Sequence, residues 1–277
     1  APGRRIPGAT GRAVYVDARQ GESTARTPVL FVHGFASNHE VWSTLEPALR
    51  RERRTVAVDL PGFGWSDRPP GDYSPAALAD DLRAVLDALG IERADLVAHS
   101  WGSSVTLAFA LAYPARVRRV VLMGAFVYDE QIPPFFRWAR EPGIGEWLFT
   151  QLYRERPGDR APLAFAEGTV VPQATVDAVE RSYERPGTVR AALAAVRGMH
   201  LLQLEARYRT IAHPTLLVWG DEDTASRPRF GARLANELRD ARLVVLPRVG
   251  HFAMFESAGA TRSMVTSFLD GEGGVAQ

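Results

Sequence analysis

Ser100 is the residue whose surroundings best suit a nucleophile. It ends the largely apolar run Asp95-Leu96-Val97-Ala98-His99 and precedes Trp101-Gly102-Ser103-Ser104. A strand that turns into a helix within a residue or two strains the residue at the turn and projects its side chain from the sheet edge. Ala98 and Gly102, two positions either side, are small enough for the helix to pack close to the strand it has just left. The pattern is the nucleophile elbow G-x-S-x-G with alanine at the first glycine. Such strings also arise by chance, so context decides: 94–98 reads as a short buried strand, and 105–112 as an apolar helix ended by Tyr113-Pro114.

A serine hydroxyl needs a base. Cysteine is absent, and every cationic side chain apart from histidine is arginine. Thiol nucleophiles, thiolate metal sites, Schiff bases and Ser-Lys dyads are therefore excluded. Of the six histidines, His33 lies in a turn after an apolar run, and His99 is expected to point away from the serine it precedes. His39, His200 and His213 fall at helix starts or in loops. His251 follows Val249-Gly250 directly after the last strand, where a base can reach the sheet edge. The acid comes from Trp219-Gly220-Asp221-Glu222-Asp223 after the penultimate strand. Asp223 is the first choice, because a turn begun at Gly220 brings the fourth residue back over the edge; Asp221 is the alternative.

Positioning these groups at one edge requires a sheet. Apolar runs at 28–32, 54–58, 94–98, 117–123, 215–219 and 243–246 read as strands, with a short edge strand at 13–16. Ser37 and Glu40 stand at capping-box spacing ahead of a helix to about 49. Ser74 and Pro75 open another, with Leu78, Leu82, Val85, Leu86 and Leu89 on one face and Gly90 at its end. Helices also fit 228–238 and 256–269. Strands apolar throughout, separated by amphipathic helices, argue an α/β fold with a mostly parallel sheet covered on both faces. The rhythm breaks between 127 and 208, where there are helical segments, no convincing strand, and Phe135, Phe136, Trp138, Trp147, Phe149 and Tyr153. This stretch reads as a helical cap inserted into a core made of 1–126 and 209–277. Phe135, Trp138 and Trp147 are its candidates for contacting a non-polar ligand.

Composition narrows the partners. A formal net charge of +1, with arginines spread along the chain, shows no nucleic-acid footprint. No run approaches the roughly 20 apolar residues of a membrane span. The chemistry calls for no metal and no cofactor, and the implied partner is a small-molecule substrate; oligomeric state leaves no mark. The first residue is Ala1 and no signal-peptide core follows, which fits a cytoplasmic chain or one whose export segment has been removed.

The order Ser100, Asp223, His251 is the order found in α/β-hydrolases, and the chain resembles that superfamily over nearly its whole length. The resemblance rests on His33-Gly34-Phe35, the Asp59-to-Ser66 turn (Asp-Leu-Pro-Gly-Phe-Gly-Trp-Ser), the Ala98-to-Gly102 elbow, Gly220-to-Asp223, and Gly250-His251 with Glu256 beyond. It implies an oxyanion hole formed by the backbone N–H groups of Phe35 and Trp101; losing one such donor typically costs roughly 2.7–4 kcal/mol. It implies a structural role for the Asp59-to-Ser66 turn, and acyl transfer through an acyl-enzyme with Asp223 orienting His251.

Ser100 argues against relatives that use aspartate as nucleophile, such as those resembling haloalkane dehalogenases and epoxide hydrolases. Its Ser-Trp-Gly-Ser elbow looks like that of proline iminopeptidases, but Gly34-Phe35-Ala36 stands where those carry Gly-Gly-Pro. A carboxylic-ester hydrolase is the leading expectation. The alternative is a hydrolase of carbon–carbon bonds in diketone-like acids, which would favour an arginine near the site, with Arg137 and Arg140 available. A receptor that keeps the fold but does no chemistry is a reading of another class.

Overall fold

The strands at 29–32, 55–59, 94–99 and 215–220 are buried at every position because helices cover both faces of the sheet. The computed structural model describes residues 3–21, 26–153, 165–166 and 173–271. Its sheet has eight strands: β1 (Arg4–Pro7), β2 (Ala13–Arg19), β3 (Val29–Val32), β4 (Thr55–Asp59), β5 (Ala94–His99), β6 (Val117–Met123), β7 (Thr215–Gly220) and β8 (Ala241–Leu246), in the order β1-β2-β4-β3-β5-β6-β7-β8. The first two pairings, β1 with β2 and β2 with β4, are antiparallel and the rest parallel. On one face Leu30, Val32, Leu96, Ala98 and Leu122 meet Leu82, Val105 and Phe109. On the other, Phe31, Val97, Val121 and Met123 meet Trp42, Leu49, Val265 and Leu269. Alternate residues of one strand thus enter different cores, as the two-residue period of a strand requires.

The helices are α1 (Glu46–Leu49), α2 (Pro75–Ala88), α3 (Gly102–Ala112), α4 (Pro134–Ala139), α5 (Ile144–Tyr153), α6 (Gln173–Tyr183), α7 (Thr188–Arg197), α8 (Leu202–Glu205), α9 (Pro228–Glu237), α10 (Ala253–Glu256) and α11 (Ala258–Asp270). Between β6 and β7 the described residues carry helices α4 to α8 and no strand. Residues 154–164 and 167–172 of the inserted stretch, including Pro157-Gly158, and the glycine-bearing tail from 272 lie outside the described residues.

Three expectations are corrected. The strand at 13–16 is longer and is not the edge, since β1 pairs outside it. The helix expected from Ser37 is a 3-10 turn (His39–Trp42) followed by α1, and Asn38 rather than Ser37 accepts the capping bond, from the Glu40 N–H. Pro47 explains the break: it has no N–H to bond the Ser43 carbonyl of a continuous helix, and it is tolerated only in the first turn of α1. The last helix is divided at Ser257, whose φ of −132° and ψ of 52° leave the helical region.

From β3 the chain goes to β4 on one side, then through α2 to β5 on the other. The carboxyl ends of β3 and β5 therefore diverge at a reversal of strand order, where open α/β sheets leave a crevice for ligands.

Candidate active site

Ser100 occupies that crevice at the end of β5, with φ of 51°. Left-handed backbone at a non-glycine residue costs roughly 1–2 kcal/mol, and the surroundings hold it there. Its N–H donates to Met123 C=O at 2.9 Å, and its C=O accepts from Ser103 N–H at 2.9 Å and Phe126 N–H at 3.0 Å. Helix α3 leaves at once because Gly102 has no side chain: a Cβ there would stand 2.3 Å from the His33 carbonyl oxygen. The expected small-residue requirement is thus a contact between α3 and the end of β3. Trp101 N–H makes no backbone hydrogen bond among the described residues.

The turn after β3 lies against the elbow, close enough that a Cβ on Gly34 would be 2.9 Å from Ser100 Cβ. His33 clamps this turn: its Nδ1–H donates to Gly34 C=O at 2.7 Å, and its Nε2 accepts from Leu60 N–H at 2.9 Å. Burial lowers its pKa to about 4, so the ring is neutral at pH 7, as accepting that bond requires. The Asp59-to-Ser66 segment is held by its own bonds, Asp59 accepting from the N–H groups of His39 and Trp65.

The loops after β7 and β8 bring Asp223 and His251 together. His251 Nδ1–H donates to Asp223 Oδ2 at 2.8 Å. The other carboxylate oxygen accepts the N–H groups of Ala225 at 2.9 Å and Ser226 at 2.7 Å. Asp221 is exposed and, among the described residues, accepts only a 3.4 Å bond from Val249 N–H. With Nδ1 as donor, His251 Nε2 carries the lone pair a general base needs. No hydrogen bond joins the Ser100 hydroxyl to this imidazole among the described residues; such contacts commonly tighten only with substrate in place.

Sequence reasoning missed two supports of this pair. Glu256 accepts Gly250 N–H at 2.8 Å and Phe252 N–H at 2.9 Å, gripping the backbone on both sides of His251. Gly124, just beyond β6, has φ of 51° and passes so close that a Cβ would be 2.9 Å from His251 Nδ1. Glu256 stood in a motif without a role, and Gly124 looked like any glycine after a strand.

A cavity of about 620 Å³ opens over Ser100, with Phe35, Trp101, Phe126, Ile132, Phe136, Met199 and Phe230 among its walls. The three aromatic residues expected to face a ligand are placed otherwise. Phe135 packs on Phe136 without lining the cavity, while Trp138 and Trp147 are 61% and 64% exposed. Successive helical residues are rotated by about 100°, so when Phe136 of α4 faces inward, Phe135 and Trp138 cannot. Arg137 and Arg140 are committed elsewhere, to Asp129 and to the carbonyls of Val196 and Met199. Two arginines not singled out from sequence, Arg227 and Arg229, line the cavity; Arg229 pairs with Glu130 at 2.6 Å. Among the described residues no group of three or more His, Asp and Glu side chains is arranged to hold a metal, and no helix is long and apolar enough to cross a membrane.

A family profile described as alpha/beta hydrolase fold matches residues 27–258. The chain is 32% identical over 262 residues to the 2-hydroxymuconate semialdehyde hydrolase of Pseudomonas sp. strain CF600, covering 90% of this chain and 88% of that one. It is 30% identical over 261 residues to the 2-hydroxy-6-oxo-2,4-heptadienoate hydrolase of Pseudomonas putida strain F1, covering 90% and 91%. In fold it is similar to a thermophilic esterase from Thermogutta terrifontis, with a TM-score of 0.81, 24% identity, and coverage of 98% and 99%.

Proposed function

Because the chain belongs to the alpha/beta hydrolase fold family, we propose that it is a serine hydrolase working through an acyl-enzyme at Ser100, and that its substrates are carboxylic esters with small to medium apolar groups. The observation that carries this reading is the His251–Asp223 pair, 2.8 Å apart, at the same sheet edge as a serine in left-handed backbone. His251 Nε2 takes the Ser100 proton, the alkoxide attacks the acyl carbon, and the protonated imidazole returns the proton to the departing alcohol. Water, deprotonated by the same nitrogen, then releases the acid. The N–H groups of Trp101 and Phe35 hold the oxyanion, Asp223 fixes the tautomer of His251, and residues 127–208 act as a cap that supplies apolar wall.

A second reading has its own support. The two relatives are named for substrates without an ester link, so hydrolysis there breaks a carbon–carbon bond. Arg227 adds a cation to the cavity, and its side chain makes no ion pair or hydrogen bond among the described residues, which suits an acidic substrate. The first steps are the same, with a stabilised carbanion, protonated on carbon, as the leaving group.

Nitrophenyl esters of graded chain length, and a vinylogous 1,5-diketone acid, assayed with wild type and Ser100→Ala, test both readings. Ester turnover that vanishes in Ser100→Ala supports the first. Turnover of the diketone acid alone moves the function to carbon–carbon bond hydrolysis. Activity that survives in Ser100→Ala refutes the nucleophile assignment.

A further inference from the structure

We propose that His99 is a positioning residue that sets the depth of the His251 imidazole against Ser100 by holding the backbone carbonyl of His251. The proposal rests on the serine-hydrolase reading. His99 is the last residue of β5, and strand alternation sends its side chain to the face of Val97, opposite Ala98, beneath the loop that carries His251.

Its Nε2–H donates to the carbonyl oxygen of His251 at 3.0 Å. The ring packs on the His251 imidazole with centroids 4.6 Å apart, and on Phe252 at 4.8 Å. Its other edge faces the turn that carries Phe35, where a Cβ on Gly34 would lie 3.2 Å from Nδ1. One buried ring thus fills the space between the loop of the base and the turn beside the nucleophile.

Two features separate this from ordinary filling. His99 is 2% exposed, and its Nδ1 has no hydrogen-bond partner among the described residues. An unsatisfied buried acceptor costs stability that an apolar ring of similar size would avoid. The hydrogen bond the ring does make goes to the backbone of His251. That loop is otherwise tied by Glu256, which takes the N–H groups of Gly250 and Phe252 but leaves the carbonyl between them to His99. Asp223 directs the imidazole through Nδ1; His99 and Glu256 decide where the backbone bearing it stands. Burial, with the adjacent His251, keeps the pKa of His99 well below the usual histidine range. The neutral ring donates through Nε2 and leaves the positive charge of the catalytic cycle to His251.

The test compares His99→Phe, which keeps the ring and deletes the donor, with His99→Gln, whose terminal amide N–H reaches a similar point. Wild type and Ser100→Ala run alongside. Each is assayed for kcat and KM on a nitrophenyl ester, rate of inactivation by a fluorophosphonate, and melting temperature. The expected result for His99→Phe is a kcat and an inactivation rate lower by about 10- to 100-fold, with KM within about twofold and the melting temperature undiminished, since displacing a catalytic group by 1 Å can cost about 100-fold. His99→Gln is expected to recover most of that loss. Wild-type kcat in His99→Phe, or equal loss in both variants, overturns the positioning role while Ser100-dependent turnover stands. Turnover that survives in Ser100→Ala overturns the serine-hydrolase reading and this proposal with it.

Discussion

Replacing Gly124 by alanine tests whether the backbone beyond β6 was kept bare for the acid–base pair. The new Cβ would lie 2.9 Å from His251 Nδ1, 3.0 Å from Asp223 Oδ2 and 3.1 Å from His251 Cε1. Carbon contacts are comfortable only from about 3.5 Å, so imidazole and carboxylate must retreat by about half an ångström. The backbone adds its own penalty, since φ is 51° and alanine in left-handed conformation costs roughly 1–2 kcal/mol. Urea unfolding is expected to show a loss of about 1–3 kcal/mol. The kcat on the best nitrophenyl ester should fall at least about tenfold, with KM little changed. Gly90 is the control: its φ is 64° and nothing lies within 4 Å of where a Cβ would stand, so Gly90→Ala carries only the backbone cost. Wild-type kcat in Gly124→Ala, or the same kcat loss in Gly90→Ala, refutes the reasoning.

Asp223→Asn is expected to lower kcat by about 10³- to 10⁴-fold through loss of the productive tautomer, with Asp221→Asn within a few-fold of wild type; the opposite ranking moves the acid to Asp221. His33 has a folded pKa of about 4 against an ordinary 6.5, so between these values the unfolded chain binds the proton first. Its contribution is complete above pH 6.5 and is lost as pH falls toward 4, by about 3 kcal/mol. Urea midpoints taken from pH 7.5 to pH 4 should show this decline, and an equal slope in His33→Gln removes its assignment to His33. Arg227→Gln is expected to lower kcat/KM for the nitrophenyl hemiester of a dicarboxylic acid about tenfold relative to a neutral ester of equal length; an unchanged ratio means that Arg227 does not bind the carboxylate.

Much of the fold is written in local pattern. Continuous apolar strands, the Ser74-Pro75 helix start and the small residues around Ser100 each act over a few positions, and the described structure carries a mostly parallel eight-stranded sheet. The candidate residues Ser100, Asp223 and His251 are legible for a related reason: each follows a strand end, and parallel strands deliver those ends to one edge. Local chemistry also misled where two signals compete. Ser37 and Glu40 have capping-box spacing, yet Asn38 takes the cap and Pro47 breaks the helix.

What the tertiary structure decided is the set of contacts between segments distant in sequence. Asp223 rather than Asp221 meets His251 because two loop backbones, 28 residues apart, close on each other. Phe136 rather than Phe135 or Trp138 reaches the cavity because the packing of α4 sets its rotation. His99 and Gly124 acquire meaning only where β5, β6 and the loop after β8 converge. A sequence displays its periodicities and turn residues directly, whereas a contact distance exists only once the sheet has brought those turns together.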